Sequence, residues 1–245
     1  MGESIFTREV VYGTSHCDIK GAWKLSSILE AMQDTANEHC RLLHVGRDDI
    51  APKGLTWVLF KVDLQIDRYP LQGEIVTVRT FTKGSSYKFF PRYYVVEDSS
   101  GQQLCMAGSL WILMDRETRR TLTSKECGVE LPNVKYIEIP IKISTASRKI
   151  DGAESAGTYK PLYTDIDFNG HVNNIRYADW LCNAIGVKAL IDHEISFVSI
   201  SYNYEVLPDV ELITKLICGG NEFQFSGVFE GKTYFNIDGV IRKRQ

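Results

Sequence analysis

The sequence predicts an α+β protein made of two small domains that repeat one plan. Three observations carry this: a short motif that recurs at fixed spacing, a helical apolar pattern after each copy, and several strand patterns after each helix. Cys17-Asp18-Ile19-Lys20-Gly21-Ala22-Trp23 and Ile166-Asp167-Phe168-Asn169-Gly170-His171-Val172 lie 149 residues apart, so Asp18 matches Asp167 and Gly21 matches Gly170. After the first copy, Leu25, Ile28, Leu29, Met32 and Ala36 recur at intervals of three and four, one apolar face of a helix. After the second, Ala178, Leu181, Cys182, Ile185 and Ala189 do the same, with Gly186 placed to end or weaken that helix. The stretch 175–187 is apolar enough for a helix covered on most sides by a sheet.

Strand patterns follow each helix. In the first half they cover 56–66, 74–82, 88–97 and 103–114, with turn chemistry at Asp98-Ser99-Ser100-Gly101. In the second they cover 196–206, 211–218, 222–230 and 232–242, with Glu230-Gly231 as a tight hairpin turn. Both sets contain a strand-ending proline, Pro70 and Pro208. Pro132, Pro140, Asp151-Gly152 and Ser155 mark a connection. The expected division is a first domain over 1–135, a linker over 136–157 and a second domain over 158–245.

Composition bounds the function. The 245 residues carry 28 Lys and Arg against 31 Asp and Glu, a net charge of −3, with 44% hydrophobic and 24% charged residues. That is globular composition and excludes a disordered chain. Without excess positive charge to neutralise phosphates, a basic nucleic-acid module is not expected. No apolar run approaches the roughly 18 residues of a membrane span. The N-terminus, Met1-Gly2-Glu3-Ser4-Ile5-Phe6, lacks the basic and apolar regions of a secretory signal, and Phe6 breaks the myristoylation pattern. Six scattered cysteines, with no CxxC, read as reduced thiols. His16-Cys17, His39-Cys40 and His44 offer ligand atoms at no spacing typical of zinc, so neither metal nor other cofactor is expected. GxSxG, the P-loop and GxGxxG are all absent from the sequence.

The two copies differ in their polar residues. Asn169 and His171 stand where the first copy has Lys20 and Ala22, and Asn173 and Asn174 follow closely. A shared frame with a polar cluster in one copy suggests a duplication with one active half. Alternation along Asp167-x-Asn169-x-His171 would put three polar side chains on one side of an extended strand end. A helix beginning near Asn173 would turn free N–H groups towards them, suited to a developing oxyanion. His171 suits acid–base work near neutrality, Asn169 can donate to a carbonyl oxygen, and Asp167 can orient either. From residue types alone, catalysis, a binding loop and a satisfied polar loop all remain open.

The run Asp167-Phe168-Asn169-Gly170-His171-Val172-Asn173-Asn174-Ile175-Arg176-Tyr177 resembles the signature of fatty acyl–acyl carrier protein thioesterases, the plant plastid enzymes and their bacterial relatives. In the first half, Thr56-Trp57-Val58-Leu59, Asp67-Arg68-Tyr69-Pro70, Gly73-Glu74, Ser109-Leu110-Trp111-Ile112-Leu113-Met114 and Thr118-Arg119-Arg120 follow that family's order. The resemblance covers the chain from about Phe6 to beyond Glu230. It implies two tandem hot-dog domains, each a long helix wrapped by an antiparallel sheet, and hydrolysis of the thioester between a fatty acyl chain and acyl carrier protein. It also implies a catalytic set of Asp167, Asn169, His171 and a glutamate on a strand after the helix, here Glu205.

The plant pattern follows that glutamate with cysteine; this chain has Val206. Valine cannot act as a nucleophile, so the implied scheme is attack by water held by Glu205 and His171. Met32, Trp57, Leu59 and Trp111 are candidates to line the acyl tunnel, with Asn173 and Asn174 as further substrate-binding candidates. An acidic carrier protein would need basic docking residues, for which Arg176, Arg119-Arg120 and Arg242-Lys243-Arg244 are candidates. No plastid-type leader is recognised, so a cytoplasmic location and no membrane insertion are expected. Hot-dog domains associate through sheet edges, which also allows a homodimer. An acyl-CoA thioesterase and a non-catalytic acyl-lipid-binding protein are the competing readings.

Overall fold

A computed structural model describes residues 4–144 and 152–244. The chain forms two units, Met1–Ile143 and Ser144–Gln245. In the first, strand β1 (Ile5–Val11) precedes helix α1 (Leu25–Leu42) and a short helix α2 (Arg47–Ile50). Strands β2 (Leu55–Ile66), β3 (Ile75–Thr82), β4 (Phe90–Asp98), β5 (Gln103–Asp115) and β6 (Thr121–Leu122) follow, then helix α3 (Ser124–Cys127). The main strands pair antiparallel in the order β1-β3-β4-β5-β2, with β6 beside β5.

The apolar face read from α1 is the face that is buried: Leu25, Ile28, Leu29, Met32 and Ala36 are all withdrawn from water. Burying each large aliphatic side chain contributes about 1.5–3 kcal/mol, which holds the helix against the sheet. A polar group interrupts this core. The buried Arg92 guanidinium contacts His39 Nδ1 at 2.9 Å, Thr80 Oγ1 at 3.2 Å and Cys40 Sγ at 3.1 Å. The turn after β2 is fixed by charge: Arg68 grips Glu74 through two hydrogen bonds, 3.0 and 2.6 Å long, and its Nη2 lies 3.4 Å from Asp98.

The second unit begins with β7 (Ala153–Tyr159), followed by α4 (Arg176–Ile185) and α5 (Val187–Asp192). Strands β8 (His193–Tyr202), β9 (Leu212–Gly219), β10 (Glu222–Phe229) and β11 (Lys232–Lys243) complete it. Its order, β7-β9-β10-β11-β8, is the strand order of the first unit repeated. Tyr177 and Trp180 seat α4 on the sheet, with ring centroids 5.1 and 6.1 Å from Phe235 and, for Trp180, 4.0 Å from Tyr159. The expected Glu230-Gly231 turn joins β10 to β11 with φ of 50° and 74°, as a two-residue hairpin requires.

Three expectations need correction. Gly186 ends the second helix, as its position suggested, by adopting φ of 87°, but Ala189 does not continue the same helical face: it lies on α5 beyond the break, where Val187 is exposed. Helix α4 begins at Arg176 rather than near Asn173, because the Asn173 side chain accepts the Ile175 N–H and turns the chain first. The strand expected over 196–206 ends at Tyr202, where Asn203 and Tyr204 both donate to the Tyr234 carbonyl and draw the chain off the ladder. Strand β7 begins inside the expected 136–157 connection, and residues 145–151 of that connection lie outside the described residues.

Candidate active site

The 149-residue repeat extends to individual hydrogen bonds. A short helical turn, Thr14–His16 or Tyr163–Asp165, opens each loop. The Cys17–Trp23 and Ile166–Val172 bridges close the two loops. Inside, Asp18 N–H donates to Ala22 O at 2.7 Å, as Asp167 N–H does to His171 O at 3.0 Å. The Asp18 carboxylate accepts Lys20 N–H at 2.8 Å, and the Asp167 carboxylate accepts Asn169 N–H at 2.7 Å. Gly21 and Gly170 take φ of 77° and 83°, left-handed values that glycine adopts without strain. The aspartate and glycine therefore shape the loop in both units.

What differs is what the loop presents. The expected extended alternation does not occur, because Asp167 captures the Asn169 N–H and the chain turns at Gly170. The turn still gathers the polar side chains. Asn169 Nδ2 donates to Asp167 Oδ2 at 3.3 Å, and Asp167 Oδ1 lies 4.0 Å from His171 Nδ1. His171 Nδ1 also lies 3.3 Å from the Val172 carbonyl oxygen. A carbonyl only accepts, so this contact places the proton on Nδ1 and leaves Nε2 as the basic nitrogen.

Glu205 reaches the same nitrogen from the chain that follows β8. Its Oε1 is 3.8 Å from His171 Nε2, and both side chains are partly open to solvent. That gap is too long for a direct hydrogen bond and short enough for one water to bond both groups. The Glu205–Val206 segment is tied to the loop by Val172 N–H donating to Val206 O at 2.9 Å. Val206 itself is fully buried, so the position that carries cysteine in the plant pattern is here a core residue. Asp167, Asn169, His171 and Glu205 are thus brought together within the second unit.

The other candidates are distributed differently. Asn173 accepts the Ile175 N–H at 3.0 Å and donates its own N–H to Asp165 O at 2.8 Å, while the Asn174 carbonyl accepts the Tyr202 hydroxyl at 3.0 Å. The Ile175 and Arg176 N–H groups are spent on Asn173, so these two are not donors for an oxyanion. Met32 and Leu59 are buried in the first unit. Trp57 and Trp111 are partly buried there, their indoles bonded to Val45 O at 2.8 Å and Ser109 Oγ at 2.9 Å. Several basic candidates are engaged: Arg176 with Asp179 at 3.0 Å, Arg120 with Glu126 at 2.7 Å and Arg242 with Glu194 at 2.8 Å. Arg244 donates to the Leu190 and His193 carbonyls.

Two residues join the site without having been singled out. The Asp165 carboxylate is buried and accepts Leu162 N–H at 2.9 Å; burial first, then the Asp165 charge, pushes the Tyr159 hydroxyl up to about 12. Tyr177 is buried, its ring packed against Trp180, Tyr202 and Phe235. Burial drives its pKa up, and the Glu205 and Asp167 charges add to the rise. Sequence comparison of the copies held a signal for both, since the matching positions are His16 and Ile28.

Comparison with known proteins places the chain in a family. Residues 3–126 match the model of the acyl-ACP (acyl carrier protein) thioesterase N-terminal domain, and residues 148–233 match that of the C-terminal domain. A chloroplastic palmitoyl-acyl carrier protein thioesterase from Gossypium hirsutum is 29% identical over 194 residues, 74% of this chain and 47% of that protein. The chain therefore spans about half the length of the curated relatives it matches. An acyl-ACP thioesterase structure from Bacteroides thetaiotaomicron aligns over 98% of both chains with a TM-score of 0.87 at 22% identity. The 12:0-ACP thioesterase of Umbellularia californica covers 100% of this chain and 99% of its own, with a TM-score of 0.79 and 21% identity. These likenesses establish the fold as tandem hot-dog domains. With both domain models matched in order along its length, the chain belongs to the acyl-ACP thioesterase family.

Proposed function

We propose that this protein hydrolyses the thioester of fatty acyl–acyl carrier protein to a free fatty acid and the carrier thiol. The observation that carries the reading is the convergence of Asp167, Asn169, His171 and Glu205 on one turn of the second unit, in a chain of this family. His171 Nε2 and Glu205 hold a water between them, and its oxygen attacks the thioester carbonyl carbon as His171 takes one proton. The Asn169 amide donates to the carbonyl oxygen as negative charge builds there. Collapse of the tetrahedral intermediate breaks the C–S bond. The sulfur leaves as thiolate, comparatively readily because thiols have pKa values near 8.5, and the His171 proton neutralises it. Asp167 fixes the turn and steadies the imidazolium.

The division of labour follows the two copies: a first half over 1–135 that takes the acyl chain, with Met32, Trp57, Leu59 and Trp111 as lining, a connection over 136–157, and a catalytic half over 158–245. Asn173 and Asn174 shape the entrance to the site. Six free cysteines fit a reducing compartment such as the cytoplasm, and no helix of the described residues is long and apolar enough to cross a membrane. A homodimer through sheet edges is compatible with this scheme. The test is product stoichiometry: purified protein with a fatty acyl–carrier protein thioester yields one fatty acid per carrier thiol. An intact thioester, or acyl transfer to another acceptor, overturns the reading.

A further inference from the structure

The two copies make the same corner with different chemistry. In the first unit Asp67 and Arg68 both donate their N–H to Leu104 O, at 2.9 and 3.2 Å, as Asn203 and Tyr204 do to Tyr234 O at 2.9 and 3.1 Å. Trp23 N–H donates to Pro70 O at 2.8 Å, as Val172 N–H does to Val206 O at 2.9 Å. These bonds align the two segments residue by residue. Ile66, the last residue of β2, is therefore the equivalent of Tyr202, the last residue of β8. Ile66 is fully buried and apolar, so the fold makes this corner without a hydroxyl. The helix starts differ as well. Leu25, which the 149-residue repeat matches to Asn174, is the first residue of α1, whereas α4 waits until Arg176 because Asn173 has captured the Ile175 N–H. Asn174 is thus left outside the helix, and its carbonyl accepts the Tyr202 hydroxyl at 3.0 Å. Burial pushes the pKa of that hydroxyl up, so it keeps its proton and donates throughout the neutral range. The Tyr202 ring packs edge to face with Tyr177, centroids 5.2 Å apart, which limits its movement.

We propose that Tyr202 is a positioning residue of the active site, its hydroxyl strapping the strand end that leads to Glu205 onto the segment that follows His171. Val172 and Asn174 come directly after His171, and Tyr202 and Val206 lie on either side of Glu205 in the chain. The Tyr202–Asn174 and Val172–Val206 bonds therefore bracket the 3.8 Å gap between His171 Nε2 and Glu205 Oε1. Relative to the His171 segment, the Val206 bond fixes Glu205 from one side and the Tyr202 bond fixes it from the other. The first unit has Ala22 and Tyr69 at the positions of His171 and Glu205, so it has no such gap to hold, and it has Ile66 where the strap would begin. The consequence for turnover rests on the thioesterase reading, and the strap on the hydrogen bond alone.

Tyr202→Phe removes the oxygen and keeps the ring. With Glu205 displaced by about 1 Å, kcat for the acyl–carrier thioester falls about 10–100-fold, while KM changes less than about twofold. Coupling separates positioning from a simple loss of stability. If Tyr202 acts through Glu205, then Tyr202→Phe, costly in the wild type, costs less than about twofold in the Glu205→Gln background. Multiplicative losses, a change confined to KM, or wild-type turnover in Tyr202→Phe would each overturn the proposal. Hydrogen exchange reads the strap without turnover. The Val172 amide exchanges at least about tenfold faster in Tyr202→Phe, while the Trp23 amide, which makes the matching bond in the first unit, is unchanged. An unchanged Val172 amide, or equal acceleration at both amides, rejects the strap. An inactive wild type rejects the thioesterase reading, and exchange then still decides the strap. Should Tyr202→Phe fail to fold, Tyr202→Ile installs the residue of the first unit, with the same coupling and exchange expected. Failure of both variants to fold would make the hydroxyl a requirement of the fold and overturn the proposal.

Discussion

Asp18 and Asp167 offer a matched experiment inside one chain. Each carboxylate closes the same turn: Asp18 accepts Lys20 N–H at 2.8 Å and Ala22 N–H at 3.1 Å, and Asp167 accepts Asn169 N–H at 2.7 Å and Asn169 Nδ2 at 3.3 Å. Substituting alanine removes two charge-assisted bonds on a part-exposed turn in either unit, a cost of about 1–3 kcal/mol. For units of this size that lowers the melting temperature by about 3–10 °C. The stability losses should therefore be similar. Activity should separate them, because Asp167 lies 4.0 Å from His171 Nδ1 and holds the Asn169 amide, whereas the first copy has Ala22 and Lys20 at the positions matching His171 and Asn169. Asp167→Ala is expected to lower kcat by about 100-fold or more, whereas Asp18→Ala stays within about twofold of wild type. The assay is thiol release from an acyl–carrier thioester beside a thermal melt of each variant. Equal activity losses in the two variants, or none in Asp167→Ala, would refute the claim that one copy of the loop is catalytic.

Two further outcomes follow from the same geometry. If His171 and Glu205 act on one water across their 3.8 Å gap, His171→Ala and Glu205→Ala should each cost about 10²–10⁴-fold in kcat, and the double variant should be little worse than the poorer single; multiplicative losses in a double-mutant cycle would mean that they act apart. At the turn after β2, Arg68 holds the Glu74 carboxyl below its ordinary 4.5. That stabilisation is complete above about pH 4.5 and is lost as the pH falls through the lower, folded-state value. Arg68→Ala should lower the melting temperature by about 1–4 °C at pH 7 and by much less at pH 3, as calorimetry at the two pH values would reveal. An unchanged deficit at pH 3 would assign the loss to packing of the arginine stem.

Much of the architecture was legible because it repeats. The Asp and Gly pairs at constant spacing foretold two copies of one loop, and the copies share backbone bonds down to Lys24 N–H on His16 O and Asn173 N–H on Asp165 O. Helix α1 was readable from its apolar face, and the Glu230-Gly231 hairpin from its turn residues. The errors arose where distant groups decide local conformation. Nothing near Tyr204 in the sequence announces that the Tyr234 carbonyl will take two N–H groups and end β8, and so Glu205 was expected on a strand. Local side-chain capture by Asp167 and Asn173 similarly overrode alternation in the loop and delayed α4.

The most direct test of the central claim measures kcat/KM for thiol release from matched acyl carrier protein and CoA thioesters across chain lengths, with wild type and Asn169→Ala/His171→Ala in parallel. Preference for the carrier-protein thioesters, abolished in the double variant, is the predicted result. Preference for CoA would replace the partner while keeping the chemistry. Full activity in the double variant would contradict the assignment of hydrolysis to the loop of the second unit.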